Sequence, residues 1–356
     1  MTRLENKLQK IGSDVKITAK AAGLHYTEDR TKGYYRKKSG KGFKFEDYEG
    51  NPVKDEELLE RFKKLVIPPA YEDVWIAPYP NNHLQFTGYD VKGRKQYRYH
   101  AAWNSIRNQA KFYRLRNFAR CLPKIRQQVE KDLTLKGLPF KKVVALAVKL
   151  IELTHIRIGN ESYSKLYGSF GLSTLKDRHV KFKGTTVRFS FKGKKGVYHD
   201  VELQSRKLAS LVKKCRDIPG KELFQYYDEE GKHYSIDSGD VNSYLKAVTG
   251  EEYTAKDFRT WAGSVNALCA FKELEVAENE SQLKKQIVEV IDHVAAKLGN
   301  TRTVCKKYYV HPSVINAHQN GTLRKYIVKE SNKNSLTNEE RLLLKILENE
   351  KIAKAT

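Results

Sequence analysis

The sequence predicts an α+β protein in two parts, a small β-rich N-terminal domain and a larger, mainly α-helical domain. Three observations carry this reading. Before residue 100 the chain runs in short segments rich in Tyr and Phe, broken by Gly and Pro, the pattern of strands and turns. After Pro139, apolar residues recur three and four positions apart, the helical period. Between the two, from Val91 to Val129, there is no Asp or Glu. The boundary is drawn inside this basic stretch, giving domains 1–104 and 105–356.

Composition narrows the partners. The 356 residues suffice for two domains, and 40% are hydrophobic, enough for a packed core. Lys and Arg number 67 against 42 Asp and Glu, a net charge of +25. A balance this basic points to a polyanion. With 21 Tyr and 14 Phe the chain is no disordered basic tail. No single basic amphipathic helix carries the charge, which favours nucleic acid over an anionic membrane. No apolar run approaches the ~20 residues of a membrane span, and Met1–Lys7 lacks the apolar core of a signal peptide. A cytoplasmic location is expected. Cys121, Cys215, Cys269 and Cys305 lack the close spacing of a zinc or redox motif, and carboxylates do not cluster. No phosphate-cradling Gly-x-x-x-x-Gly-Lys-Ser/Thr loop occurs. Neither a metal nor another cofactor is therefore expected.

Taken in order, residues 1–22 form a polar, Lys-rich arm or short helix. Gly33–Arg36 and Phe43–Phe45 predict short strands, and Gly40-Lys41-Gly42 reads as a solvated hairpin tip, with phosphate contact as the alternative. Glu56–Leu65 predicts a helix stopped by Pro68-Pro69. Val74–Ala77, Leu84–Gly88 and the basic Arg94–His100 predict three more strands. In the acid-free stretch Lys and Arg alternate with Tyr97, Tyr99, Trp103, Phe112, Tyr113 and Phe118, which suits a phosphate-tracking surface with some stacking.

Pro139 opens an apolar helix, Val143 to about Arg157, with Val144, Val148 and Ile151 on one line. An arginine at the end of a buried helix needs an anion, either a nearby carboxylate or one from outside. His179–Phe182, Thr186–Phe191 and Val197–Val201 predict three strands, with Lys194 and Lys195 at a hairpin tip. From Ser205 the chain reads as largely helical. Ile287, Ile291, Val294 and Leu298 share a helical face that Gly299 stops. A short helix then begins near Thr301–Thr303 and is ended by Pro312; it carries Tyr308 and Tyr309, of which one packs and the other faces outward. Thr337–Glu340 reads as a capping box ahead of a last amphipathic helix with Leu342, Leu343, Ile346 and Leu347.

In this order, Arg157 in Arg-Ile-Gly-Asn, Lys194 after Gly193, Lys256-Asp-Phe-Arg259, Gly299-Asn300-Thr301 and Tyr309 ahead of Val-His-Pro resemble the type IB DNA topoisomerases, in particular their poxvirus-like and bacterial branch. Val74-Trp-Ile and Leu84–Tyr99 resemble the N-terminal signature of that branch. The resemblance spans roughly residues 25–315. It implies a catalytic domain of the kind these enzymes share with tyrosine recombinases, and a monomeric C-shaped clamp around duplex DNA.

The resemblance also assigns roles. Tyr309 is the nucleophile, and Tyr308 becomes the packing tyrosine. Arg157 and Arg259 neutralise the phosphorane; guanidinium is planar, always charged and forks onto two oxygens. Lys194, or less well Lys195, protonates the leaving 5′-oxygen. Asn300 stands where the poxvirus enzyme has a histidine, and an amide donates a hydrogen bond but does not titrate. Arg94, Lys95, Gln96, Tyr97, Arg98 and Tyr99 are implied to contact DNA, with Gln96 suited to an adenine edge. Tyr163 and Lys256 are accessory phosphate binders. The implied activity is relaxation of supercoiled DNA through a 3′-phosphotyrosyl link, without ATP or metal. A tyrosine recombinase and a non-catalytic basic DNA-binding protein are the rival readings; Lys256-Asp-Phe-Arg259 lacks the recombinase His-x-x-Arg step.

Overall fold

The computed structural model describes residues 11, 14–29, 31–40, 42–325 and 336–349. Lys41 and most of the N-terminal arm lie outside the described residues. The chain divides into two compact units, Met1–Arg114 and Leu115–Thr356.

The first unit opens with α1 (Val15–Ala21), started by the Asp14 carboxylate, which accepts from the amides of Lys16 and Ile17 at 2.8 and 3.0 Å. An antiparallel five-stranded sheet follows, in the order β2-β1-β3-β4-β5. Its strands are β1 (Tyr34–Ser39), β2 (Gly42–Glu46), β3 (Glu72–Ile76), β4 (Leu84–Tyr89) and β5 (Lys95–Tyr99). α2 (Glu56–Lys64) lies between β2 and β3. The alternation of β3 sends Val74 and Ile76 to one face, where they pack with Phe86 and with Phe62 of α2. Trp75 joins Ala77 and Leu84 in a separate cluster. Two arginines serve this unit as backbone clamps. Arg36 donates to the carbonyls of Ile67, Pro68 and Tyr71 at 2.8–3.1 Å, and Arg61 to those of Ala77 and Pro78. The terminal guanidinium nitrogens of both are taken up by backbone carbonyls, which ties these positions to structure.

The acid-free stretch, Val91–Val129, includes β5 and continues past it. Beyond β5 it becomes α3 (Ala101–Asp132), which runs on through Pro123. Trp103, Phe112 and Phe118 are buried. The expectation of stacking aromatics is therefore corrected for these three: helical spacing turns them inward as packing, and the interleaved cations take the wetter faces.

The second unit is built on α4 (Phe140–Thr154), whose Val143–Val148 run is buried residue by residue. A run that is apolar on every side belongs at the centre of a core. After α5 (Glu161–Tyr167) comes an antiparallel three-stranded sheet, β6 (Val180–Lys183), β7 (Thr186–Lys192) and β8 (Tyr198–Gln204), in that order. α6 (Arg206–Arg216) leads to an unexpected small hairpin, β9 (Gln225–Tyr227) with β10 (His233–Ser235). The remainder is helical: α7 (Ser238–Thr249), α8 (Ala255–Glu273), α9 (Glu280–Leu298), α10 (Arg302–Tyr308), α11 (Pro312–Gln319) and α12 (Asn338–Asn349). Among the described residues no helix is long and apolar enough to cross a membrane.

Candidate active site

Four polar side chains meet where the ends of α4, α9 and α10 converge on α8. α4 stops earlier than its apolar pattern suggested. Thr154 Oγ1 donates back to Leu150 O at 2.6 Å, and His155 turns left-handed at φ 56°. This break turns Arg157 off the helix axis, onto a loop held by Leu172 N–H to Arg157 O at 2.8 Å. Arg157 Nη2 donates to Gly299 O at 3.2 Å and to Asn300 Oδ1 at 2.5 Å. Its salt-bridge reading is not what is seen, since these partners are a carbonyl and an amide.

Arg259 sits in the second turn of α8, started by a capping box in which Asp257 accepts from Thr254 N–H at 2.8 Å. Its side chain is 3% exposed. Nη1 donates to His155 O and Nη2 to Leu298 O at 2.7 Å, so one guanidinium ties together the ends of α4 and α9. Its central carbon lies 5.3 Å from the centre of the Tyr309 ring.

Tyr309 caps α10, its N–H bonded to Cys305 O at 2.9 Å. Gly299 stops α9 at φ 58°, and Thr301 starts α10. Two expectations are corrected here. Pro312 does not end the tyrosine helix but opens α11 at its first position, where the missing N–H costs nothing. The packed tyrosine is Tyr309, seated against the main core, whereas Tyr308 has the Lys307 ammonium 5.5 Å from its ring centre. The backbone of Tyr309 lies directly on α8: a β-carbon on Gly263 would come within 2.5 Å of Tyr309 O.

The electrostatics of the cluster favour negative charge. Burial pushes the Tyr309 phenol up, but the charges of Arg259 and Arg157, a hydrogen bond from Arg259 and the Lys256 charge together hold it below its ordinary 10.0. Burial lowers Arg157, and burial followed by the neighbouring Arg157 lowers Arg259. Three buried donors here have no partner among the described residues: Arg157 Nη1, Arg259 Nε and Asn300 Nδ2. A buried donor left unmade costs roughly 1–3 kcal/mol, more when charged. Two of the three belong to the guanidinium groups whose charges lower the Tyr309 phenol, and the third to the amide whose oxygen accepts from Arg157.

The other predicted residues are placed differently. Lys194 stands exposed at the β7–β8 hairpin tip, and Lys195, also exposed, is left-handed at φ 61°. Lys256 is exposed on the first turn of α8, and Tyr163 is exposed on α5 with its ring 5.6 Å from Tyr167. In the first unit, Asp90 engages both Arg94 Nε (2.7 Å) and Gln96 Nε2 (3.0 Å), and Asp29 pairs with Lys95. Arg98 is exposed, and Tyr97 stacks on Tyr99 at 6.1 Å. Sequence reasoning missed Gly263 and His199; the latter's only trace was a histidine in a β-run beside the lysine hairpin.

Comparison with known proteins then defines the class. The family model described as "Eukaryotic DNA topoisomerase I, catalytic core" matches residues 100–335, and that for "Bacterial DNA topoisomerase IB, N-terminal domain" matches residues 42–90. The chain belongs to the type IB DNA topoisomerases, DNA-binding isomerases, as its motifs implied. It is 33% identical over 298 residues to DNA topoisomerase 1B of Acanthamoeba polyphaga mimivirus, covering 81% of this chain and 88% of that protein. It is 26% identical to DNA topoisomerase 1B of vaccinia virus (strain Copenhagen), covering 74% and 83%. To DNA topoisomerase 1 of Rabbit fibroma virus (strain Kasza) it is 25% identical, covering 72% and 80%.

Proposed function

We propose that this enzyme relaxes supercoiled duplex DNA by cutting one strand through Tyr309 and rejoining it, acting as a monomer. The observation that carries the reading is the trio of unpartnered buried donors around a tyrosine of lowered pKa. The scissile phosphate is the acceptor they lack. Tyr309 Oη, ionised beside the two guanidinium groups with its proton released to solvent, attacks phosphorus as the P–O5′ bond breaks, and the strand is left as a 3′-phosphotyrosyl ester. Arg157, Arg259 and Asn300 bind the non-bridging oxygens. Each contact contributes roughly 3–4 kcal/mol in the transition state, by analogy with an oxyanion-hole donor. Lys194 gives its proton to the departing 5′-oxygen, and the reverse reaction reseals the strand. The ester retains the energy of the bond it replaces, so the cycle has no need of ATP, and the two guanidinium groups supply the charge a metal would otherwise bring. Lys256 and Tyr163 act as accessory phosphate contacts, and the N-terminal domain expected over residues 1–104 contacts the duplex through Arg94–Tyr99.

The test is plasmid relaxation by the purified chain in EDTA without nucleotide, on DNA bearing no chosen site. Wild type relaxes the plasmid and is trapped covalently on denaturation. Tyr309→Phe binds DNA and forms no adduct. Relaxation by Tyr309→Phe would overturn the assignment and move it to Tyr308. Wild-type adduct confined to one cognate sequence, with no relaxation, would favour a recombinase.

A further inference from the structure

We propose that His199 is a positioning residue that locks the hairpin carrying Lys194 against the Gly299–Asn300 step, and so sets where Lys194 meets the leaving oxygen. The inference rests on the reading above, in which Lys194 is the acid.

One imidazole fills the gap between two glycines far apart in sequence. A β-carbon on Gly193 would lie 2.5 Å from His199 Cδ2 and 2.7 Å from Nε2; one on Gly299 would collide with Cε1 and lie 3.0 Å from Nε2. Each glycine immediately precedes a site residue, Lys194 in one case and Asn300 in the other. Gly193 is extended at φ −94°, so its backbone does not require glycine; the ring packed on it does. The ring is itself oriented. His199 faces Phe191 across the β7–β8 ladder and stacks on it, centroids 5.1 Å apart and planes 13° from parallel.

The hairpin tip needs such a tie. Its backbone bonds, Gly193 N–H to Val197 O at 2.7 Å and Gly196 N–H to Gly193 O at 3.0 Å, are internal to it. The nearest external one, Phe170 N–H to Lys192 O at 2.8 Å, holds the strand before the tip. Residues 194–198 are exposed. Charge is not the tool. Burial, then Arg157 and Arg259, lower the imidazole to about 4, so near neutral pH it is an uncharged wedge that adds no third cation to the site.

A leaving group that needs no proton separates this role from general support of the fold. Single-turnover adduct formation is measured on ordinary DNA and on DNA whose bridging 5′-oxygen is replaced by sulfur, which departs as thiolate. The proteins are wild type, Lys194→Ala and His199→Ala, with melting temperature and DNA affinity measured alongside. His199→Ala is expected to slow the oxygen substrate on the order of 10²-fold, as for a small misplacement of a reacting group, and to cut the sulfur substrate at the wild-type rate. Equal slowing of both substrates, or of neither, overturns the inference while rescue of Lys194→Ala by sulfur leaves the acid standing. Failure of sulfur to rescue Lys194→Ala removes the acid assignment and the inference with it. If His199→Ala does not fold, His199→Gln, which keeps a flat uncharged side chain, carries the same comparison.

Discussion

The Arg259 guanidinium carbon lies 5.3 Å from the centre of the Tyr309 ring, and its charge is the largest influence lowering that phenol against burial. On the proposed mechanism the pair is expected to make cleavage pH-dependent in a definite direction. A cation beside the phenol favours phenolate, so the wild-type rate climbs with pH and levels off below the ordinary 10.0. Arg259→Ala removes that cation, the phenol pKa rises, and the alkaline limb moves to higher pH. At neutral pH the rate falls roughly 10²–10³-fold, the loss typical of one transition-state donor. Single-turnover adduct formation across pH measures both effects; an unshifted limb would show that Arg259 does not control the phenol.

Asn300 divides its amide between two tasks. Its oxygen accepts from Arg157 Nη2, and its nitrogen is buried without a partner among the described residues. Asn300→Asp keeps the acceptor, exchanges the donor for a negative oxygen, and neutralises Arg157 where the phosphate needs it. Its cleavage rate is expected to fall further than that of Asn300→Ala, itself slowed roughly 10²-fold. Asn300→His restores a donor and recovers part of the loss. An Asp variant faster than the Ala variant would mean that the amide nitrogen does not meet phosphate.

Glu340 ties the last helix to the catalytic unit. Its carboxylate accepts from Arg126 at 2.7 and 2.9 Å, from Trp261 Nε1 at 2.9 Å and from Thr337 N–H at 2.9 Å. Trp261 stands two residues beyond Arg259 on α8. Breaking a buried pair costs about 3–5 kcal/mol; Arg126 keeps Glu152 at 2.7 Å, which puts Glu340→Ala toward the lower end. Burial raises the Glu340 pKa, but hydrogen bonding and charge from Arg126 outweigh it and hold the carboxyl below its ordinary 4.5. A depressed carboxyl stabilises the fold fully above its unfolded pKa and progressively less as pH falls through the folded one. The stability gap between wild type and Glu340→Gln in urea melts should therefore be widest above pH 4.5 and narrow on acidification.

The parts of the site legible in the sequence were those with a local signature. The period of α9 and its Gly299 stop, the three strands around Lys194 and the Thr337–Glu340 cap each follow from neighbours within a few residues. The order of Arg157, Arg259, Asn300 and Tyr309 pointed to one cluster, which these elements bring together. Pro312 was misread because proline both ends one helix and opens the next, and only the chain direction after Val310 distinguishes the two. In the acid-free run the density of cations assigned Trp103 and Phe118 to a stacking surface, although helical spacing turns both inward. Asp90 lies just ahead of that run, so its hold on Arg94 and Gln96 left no mark in the composition. The contacts of His199 with Gly193 and Gly299, and of Gly263 with Tyr309, join distant positions through missing side chains, which no local pattern records.

Gly263 offers a test in which helix propensity and packing have opposite signs. It lies inside α8, where alanine is favoured over glycine by roughly 1 kcal/mol. On propensity alone, Gly263→Ala would stabilise the protein. The new methyl, however, would sit 2.5 Å from Tyr309 O and 3.1 Å from Tyr309 Cβ, both parts of a buried turn rather than the end of a flexible side chain. Overpacking of this kind costs about 1–3 kcal/mol, so packing decides the sign and the variant is expected to melt lower. The larger effect falls on chemistry. To relieve the contact, Tyr309 must move off α8, away from Arg259, and a displacement near 1 Å slows a reaction on the order of 10²-fold. DNA affinity, spread over many phosphate contacts on the proposed reading, should remain at the wild-type level. A filter-binding titration beside single-turnover cleavage separates the two, and a variant that cuts DNA at the wild-type rate would show that the α8 backbone does not fix the nucleophile.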